Sequence, residues 1–203
     1  MLQLSVILHA PLTSIPHLLH SARASSMNRI VVIGSSCSGK STFSRYLSEK
    51  LQIEYIELDQ LHWLPDWVER EDGEFRALVS QAVLSDSWVL DGNYSVVRDI
   101  VWPRATTMIW LNHSFGLVLY RAITRSVIRA VTRQPLFSGN IETFRQTFLS
   151  RESIIWWVLK TYHLKRKSYA ALLQEQKAKG VNVIEFNSQK AVDAYLNRSS
   201  CAV

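Results

Sequence analysis

Eight consecutive residues near the start of the sequence have the types and spacing needed to hold a chain of phosphate groups. They read Gly34-Ser35-Ser36-Cys37-Ser38-Gly39-Lys40-Ser41, which matches the phosphate-binding pattern G-x-x-x-x-G-K-[ST]. Glycine allows close backbone approach, so that successive N–H groups can point at the phosphates. Lys40 would neutralise charge on the β- and γ-phosphates, and the Ser41 hydroxyl would bind Mg²⁺. The motif therefore predicts binding of a nucleoside triphosphate by residues 34–42, the last of which is Thr42.

The sequences on both sides of this loop support the prediction. Residues 29–33 are a β-branched run typical of a buried strand, and apolar residues recur at helical spacing over 42–51. Strand, glycine loop and helix form the context that separates a phosphate-binding loop from a chance match. A simple serine-glycine turn between a strand and a helix is the alternative, and this context disfavours it.

The rest of the chain alternates between strand-like and helix-like segments, which favours a parallel sheet with helices on both faces. Further strands are predicted at 53–58, 88–90, 106–111 and 181–186, and helices at 72–84, from 114 towards 133, and from 187 or 188 to 197. The fold class is therefore α/β: a three-layer phosphate-loop fold with a five-stranded parallel sheet.

Acidic residues follow two of the predicted strands. Ligands of open α/β sheets bind beyond the carboxyl ends of the strands, where Asp59 and Asp91 are expected. We expect Asp91 to hold the water shell of Mg²⁺, and Asp59 to orient or deprotonate a hydroxyl group of a phosphate acceptor. Each could instead cap the next helix or turn. His62 could assist at the acceptor site or be a packed structural residue.

The composition describes an ordinary globular chain. It has 203 residues, 47% of them hydrophobic and 20% charged, which favours one domain. No apolar run approaches the length of a spanning helix, which excludes a membrane partner at this stage. Two cysteines suggest reduced thiols in a cytoplasm, and we expect a monomer. Residues 1–26 are interpreted as a disordered extension or a mis-assigned start, and 27–203 as the single domain.

Positive charge is concentrated in one part of the sequence. Residues 121–167 contain ten basic and two acidic residues, a local net charge of +8 in a chain of net charge +6. Such a segment attracts phosphate, whether of a nucleotide or of a nucleic acid. We interpret Lys165, Arg166 and Lys167 as a solvated helix face. The candidates for closing over the γ-phosphate are Arg121, Arg125, Arg133, Arg145 and Arg151.

Several blocks beyond the loop resemble adenylate-kinase-like phosphate-loop kinases and, more closely, the bacterial topology modulation (FlaR-type) proteins. The resemblance runs from about Asn28 to Asn197. Its most specific blocks are Asp59-Gln60-Leu61-His62-Trp63 and Asp91-Gly92-Asn93-Tyr94, and it continues through Gly139-Asn140 and Ser150-Arg151-Glu152. The chain departs from true adenylate kinases where Asn93-Tyr94 follows Gly92, so AMP is not assigned as the acceptor.

This resemblance implies an acceptor-binding region at about 59–86 and a helical lid at about 126–165. Asp59, His62, Arg70, Asn93 and Arg98 would face the acceptor. Arg121 and Arg125 would lie at the triphosphate, and Arg145 and Arg151 in the lid.

Two functions follow as hypotheses. The first is an ATP- and Mg²⁺-dependent kinase acting on a small molecule or nucleotide. The alternative is an ATP-binding regulatory protein associated with DNA topology, although no nucleic-acid-binding motif is evident. A nucleotide-binding relic is disfavoured because Lys40, Ser41 and Asp91 are all present.

Overall fold

The computed structural model of the chain describes residues 28–132, 136–140 and 153–198. Five strands form one parallel sheet in the order β2-β3-β1-β4-β5. The strands are β1 Arg29–Gly34, β2 Glu54–Glu57, β3 Trp88–Asp91, β4 Thr107–Leu111 and β5 Asn182–Phe186. The central strand is a β-branched run in which Ile30 to Ile33 are fully buried, as expected for a strand covered on both faces.

Seven α-helices lie in the described ranges. They are α1 Lys40–Leu51, α2 Leu58–His62, α3 Asp72–Ala82, α4 Arg98–Val101, α5 Phe115–Thr132, α6 Ile154–Ala178 and α7 Gln189–Arg198. None of these helices combines the length and apolar character needed to cross a membrane.

Alternate side chains of β1 enter two separate hydrophobic cores. Val31 packs in a cluster with Phe75 of α3 and with residues of α6. Val32 packs on the opposite face with Phe43 of α1 and Val192 of α7. Because strand side chains alternate between faces, helices on both sides of the sheet are needed to cover β1. This arrangement confirms the predicted fold class.

The predicted elements agree with the structure to within about two residues, the usual scatter at element ends. β3 extends to Asp91, so the predicted magnesium ligand is the last residue of its strand. Ser188, a predicted cap, accepts a hydrogen bond from the Ala191 N–H at 3.2 Å. Residues 133–135 and 141–152 of the lid predicted at 126–165 lie outside the described residues, as do residues 1–26.

Candidate active site

The phosphate loop connects β1 to α1. At two of its positions the backbone accommodates only glycine. A Cβ atom on Gly34 would lie 2.6 Å from Ser38 Oγ and 2.9 Å from the Leu111 carbonyl oxygen, so no side chain fits there. Gly39 has a left-handed φ of 94° and precedes the first turn of α1. The amino terminus of α1 therefore points its free N–H groups and positive dipole end at the loop, which is the arrangement that binds phosphate.

Basic side chains already contact this loop. The Lys40 ammonium donates to the Ser35 carbonyl oxygen at 3.4 Å. Arg121 of α5 donates to the Ser38 carbonyl oxygen at 3.0 Å and to the Gln189 side chain at 2.6 Å. Arg125 lies one helical turn after Arg121, on the same side of α5. The structure thus brings Arg121 to the phosphate loop, where the resemblance had placed it.

Asp91 stands beside the loop at the carboxyl end of β3, with only 4% of its surface exposed. The register of the sheet sets Asp91 opposite Val32 of β1 on one side and Glu57 of β2 on the other. The Ser41 hydroxyl lies close enough to Asp91 and Glu57 to lower the pKa of each carboxyl group. The Glu57 carboxyl group thus lies with the oxygens of Ser41 and Asp91, although we did not predict it as a site residue from the sequence. Its position as the last residue of a strand could have indicated this.

Burial controls the protonation of these carboxyl groups. It raises the pKa of Asp91, with a smaller contribution from Asp59, while Lys40 and Ser41 oppose the rise. Burial and the neighbouring Asp91 also raise the pKa of Glu57. The carboxylate forms are therefore costly in the free protein, and a cation placed between them would relieve that cost.

This donor set fits magnesium. Mg²⁺ is usually bound through one or two carboxylates, substrate phosphates and several waters, without a cage made of protein alone. Ser41 and Asp91 supply suitable oxygens next to the phosphate loop, and Glu57 lies on the same side. Within the described ranges no cluster of three or more His, Cys, Asp or Glu side chains forms a metal cage.

Asp59 lies in the first turn of α2 and is held by a tyrosine from another part of the chain. The Tyr94 hydroxyl donates to Asp59 Oδ1 at 2.6 Å. Burial, with Asp59 next in size, raises the pKa of Tyr94 far above its usual value, so this tyrosine stays a donor. Asp59 also lies close enough to Asp91 and Glu57 to influence their ionisation. The predicted acceptor-side acid and the predicted magnesium ligand therefore share one edge of the sheet.

His62 is a packed residue in an aromatic wall next to Asp59. Only 6% of it is exposed, and its ring lies 4.5 Å from Tyr94, 4.9 Å from Trp63 and 5.0 Å from Phe75, measured between ring centroids. Of the two interpretations of His62 that the sequence allowed, the contacts favour the structural one.

Two arginines predicted at the acceptor site have different surroundings. Arg98 donates to the Asn93 side chain at 3.2 Å and lies 4.8 Å from the centroid of the Trp102 ring. The Arg70 guanidinium instead donates to the Leu61 carbonyl oxygen at 2.8 Å and pairs with Glu74. Arg70 thus ties α2 to α3 and is bound within the scaffold. Arg133, Arg145 and Arg151 lie outside the described residues.

A turn at Ser138–Asn140 is anchored to the segment that follows α2. Asn140 is 5% exposed; its side chain accepts from the Trp67 N–H at 2.9 Å and donates to the Leu64 carbonyl oxygen at 2.9 Å. The Ser138 hydroxyl donates to the Trp63 carbonyl oxygen at 2.6 Å. This turn of the predicted lid is therefore fixed to the predicted acceptor-binding region.

Replacing Asn140 by alanine would leave the Trp67 N–H and the Leu64 carbonyl without their partners. We expect the free energy of unfolding to fall by about 1–3 kcal/mol, as for other buried polar groups left unpaired. Urea unfolding measures this loss, and amide exchange should speed up at residues 63–68. Asn182→Ala, at an exposed position in β5, is the matched control. A loss no greater than that of the control would contradict the role given to Asn140.

The interpretation of Lys165 as part of a solvated face is wrong. Arg166 and Lys167 are exposed, but Lys165 is half-buried in a cleft that Ser35 of the phosphate loop also lines. The sequence contained the signal, because Lys165 lies at helical spacing between the buried residues Tyr162 and Tyr169.

Comparison with known proteins identifies no family. No protein-family model matches the chain, and no curated protein shows significant sequence similarity to it. Among solved structures, the chain is similar to the crystal structure of a gluconokinase from Sinorhizobium meliloti 1021, with 17% sequence identity and a TM-score of 0.49. That match covers 87% of this chain and 91% of the gluconokinase chain. A likeness at this level does not extend to activity, so function rests on the site itself.

Proposed function

We propose that this chain is an ATP- and Mg²⁺-dependent kinase that transfers the γ-phosphoryl group to a hydroxyl group of a small molecule. The observation that carries the proposal is the position of Asp59. This acid is fixed by Tyr94 at the same sheet edge as Lys40, Ser41 and Asp91. A donor loop and an acceptor-side acid on one edge are the parts that phosphoryl transfer requires.

The donor half of the reaction depends on charge neutralisation. The backbone N–H groups of the loop and the start of α1 would hold the β- and γ-phosphates, with Lys40 and Arg121 balancing their charge. Ser41 and Asp91 would hold Mg²⁺, which would supply further neutralisation of the phosphate charge. Arg121 needs little movement, since it already contacts the Ser38 carbonyl oxygen.

The acceptor half depends on Asp59. The acceptor oxygen attacks the γ-phosphorus, the bond from that phosphorus to the β–γ bridging oxygen breaks, and the hydroxyl proton passes to the Asp59 carboxylate. ADP leaves with the electron pair of the broken bond. The Tyr94 hydrogen bond fixes the carboxylate so that its orientation does not have to be acquired during the reaction.

The charge around Asp59 favours an alcohol over a nucleoside monophosphate as the acceptor. Glu57, Asp59 and Asp91 interact with one another through their charges, and each would repel an incoming phosphate. A phosphate acceptor is already ionised and needs no base, whereas a hydroxyl group gains from one. The aromatic wall of His62, Trp63 and Tyr94 would contact the apolar side of such a molecule.

An ATP-consumption screen tests this proposal. Sugars, polyols, sugar acids, nucleosides and nucleoside monophosphates would be compared as acceptors, with product identified by mass spectrometry. We expect turnover with a hydroxyl-bearing class and none with monophosphates. Turnover only with monophosphates would contradict the acceptor class, and salt-sensitive duplex-DNA binding with no acceptor turnover would favour the regulatory alternative.

Replacing Asp59 by asparagine should separate chemistry from nucleotide binding. Asparagine retains an oxygen that can accept from Tyr94 but cannot take the acceptor proton, so we expect kcat to fall at least about a hundredfold. Binding of an ATP analogue should stay within about twofold, because Asp59 lies on the acceptor side. Asp66→Asn, which neutralises an exposed carboxylate in the same region, is the control. A kcat equal to that of the control would rule out Asp59 as the base.

A further inference from the structure

Lys165 lies on the inner face of α6, between residues that hold this helix on the rest of the fold. Tyr162 and Tyr169 are buried and lie three and four residues away, on the same helix face as Lys165. The Tyr162 hydroxyl donates to the His113 carbonyl oxygen at 2.7 Å, beyond the end of β4. Packing on both sides of Lys165 therefore sets the direction of its side chain.

The Lys165 side chain lies near both the donor loop and the acceptor acid. It lines a cleft together with Ser35 of the phosphate loop and with His113. It is also close enough to Lys40 and to Asp59 to interact with both through charge. In the proposed mechanism Lys40 contacts the donor phosphates and Asp59 contacts the acceptor. Lys165 therefore lies near the path of the transferred phosphoryl group.

In the described part of the chain, the Lys165 ammonium makes no hydrogen bond or ion pair. Its one recorded contact there is with the Trp157 ring, whose centroid is 4.9 Å away. Burial, followed by repulsion from Lys40, lowers the pKa of Lys165 to about 8, and Asp59 opposes the shift. Among the described residues Asp59 attracts this ammonium group without forming an ion pair with it, and a bound phosphate would supply a direct anionic partner.

The other ionisable groups around Lys165 do not fill that role. His113 is 1% exposed, and neither ring nitrogen has a hydrogen-bond partner among the described residues. Burial and then Arg121 lower the pKa of His113, so it is a neutral imidazole near pH 8. Arg166, Tyr162 and Tyr169 also line the cleft, and none of them carries a carboxyl group.

We infer that Lys165 is a further catalytic residue, whose ammonium contacts the γ-phosphoryl group of bound ATP from the side opposite the phosphate loop. The inference rests on the proposed function for the identity of the donor. It adds a cation from α6 to those that the loop and α5 provide. If Lys165 contacts the γ-phosphate, it should strengthen the binding of ATP and leave the binding of ADP unchanged, because ADP lacks that phosphate.

Nucleotide binding by the full chain tests the contact without relying on turnover. Mg²⁺ with the non-hydrolysable analogue adenylyl imidodiphosphate would be compared with Mg²⁺ and ADP by calorimetry at about pH 7. In Lys165→Met we expect affinity for the triphosphate analogue to fall roughly tenfold to a hundredfold, as for loss of a charged hydrogen bond, and affinity for ADP to stay within about twofold. Lys167→Met, which removes an exposed lysine two residues away, is the matched control.

A second measurement uses the unmodified protein. Near pH 8.5 much of Lys165 should be neutral, and a bound γ-phosphate should favour its charged form, so binding of the analogue should take up protons from solution. Calorimetry in two buffers of different ionisation enthalpy measures this uptake. Lys167→Met should retain it, whereas Lys165→Met and the permanently charged Lys165→Arg should lose it.

The outcomes separate this contact from the proposed function. A Lys165→Met protein that folds, as judged by thermal unfolding, and prefers the triphosphate as Lys167→Met does would overturn the contact. So would the absence of proton uptake in the unmodified protein. Lys165-dependent triphosphate binding in a protein that phosphorylates no acceptor would support the contact and contradict the kinase proposal. A chain that binds neither nucleotide would overturn both.

Discussion

Replacing Lys40 by alanine is expected to remove ATP turnover while leaving the fold intact. In the free protein the Lys40 ammonium makes one long hydrogen bond, to the Ser35 carbonyl oxygen at 3.4 Å, and so contributes little to stability. With ATP bound it would neutralise the β- and γ-phosphates as charge develops on them. Loss of such a preorganised group lowers kcat by about a hundredfold to a thousandfold in comparable sites. Steady-state ATP consumption with the acceptor found by screening measures the effect.

Lys190→Ala is the control for this experiment, because Lys190 is an exposed lysine in the first turn of α7. Its kcat should equal that of the unmodified protein, and circular dichroism should report the same helix content in all three proteins. If Lys40→Ala consumed ATP at the unmodified rate, the loop at 34–41 would not be the donor site, and the proposed mechanism would be refuted.

Asp91→Asn should produce a protein that is more stable and catalytically inactive. Loss of the magnesium carboxylate would remove several kcal/mol of transition-state stabilisation, about a thousandfold in kcat. Asparagine removes a buried charge yet keeps an oxygen that can accept the Tyr55 hydroxyl, which now donates to Asp91 at 3.4 Å. We therefore expect the free energy of unfolding to rise at neutral pH, on the order of 1 kcal/mol for each unit by which the Asp91 pKa is raised.

The stabilisation by Asp91→Asn should depend on pH in a defined direction. The pKa of Asp91 is higher in the folded protein than in the unfolded chain, so the folded state holds the proton more tightly. The contribution of Asp91 to stability is therefore greatest below the ordinary carboxyl pKa and is lost as pH rises through the folded value. The gain should be greatest above the folded pKa and shrink as pH falls below it, as measured by urea unfolding. A gain that is the same at every pH would contradict burial of the charge as its cause.

Bound Mg²⁺ and ATP should reverse this order of stability. The ligand adds to the stability of the unmodified protein by mass action, and Asp91→Asn should bind it weakly. Thermal unfolding with and without both ligands measures the reversal. Equal ligand-induced shifts in the two proteins would show that Asp91 does not help to hold the metal.

The donor half of the site could be predicted from the sequence because its information is local. The loop pattern, the preceding β-branched strand and the following helical spacing lie within about twenty residues, from Arg29 to Leu51. The five strands were equally accessible, since each is a short apolar run bounded by turns. Asp91 could be placed because the end of a parallel strand has a known position relative to its neighbours.

The acceptor half depends on contacts between distant residues, and no local pattern encodes them. Tyr94 reaches Asp59 across 35 positions, and Asn140 reaches Trp67 across 73. Arg70 was assigned to the acceptor from its charge and the resemblance. Glu74 lies four residues later, at helical spacing, and forms the ion pair with Arg70 in the structure. The burial of Lys165 was not predicted, because all three basic residues at 165–167 were assigned to one solvated helix face. In the structure only Arg166 and Lys167 of the three are exposed.

The anchoring of the Ser138–Asn140 turn has a consequence for how this site could be redesigned. Across to the facing segment, the Ser138 and Asn140 side chains hydrogen-bond to main-chain atoms: the Trp63 and Leu64 carbonyls and the Trp67 N–H. Those bonds do not depend on which side chains the facing segment carries. Libraries that vary Trp63 and Trp67 would thus change the shape of the pocket on a loop whose backbone stays attached. For a kinase of the proposed kind, this attachment would make the chain a suitable starting point for directed evolution of acceptor specificity.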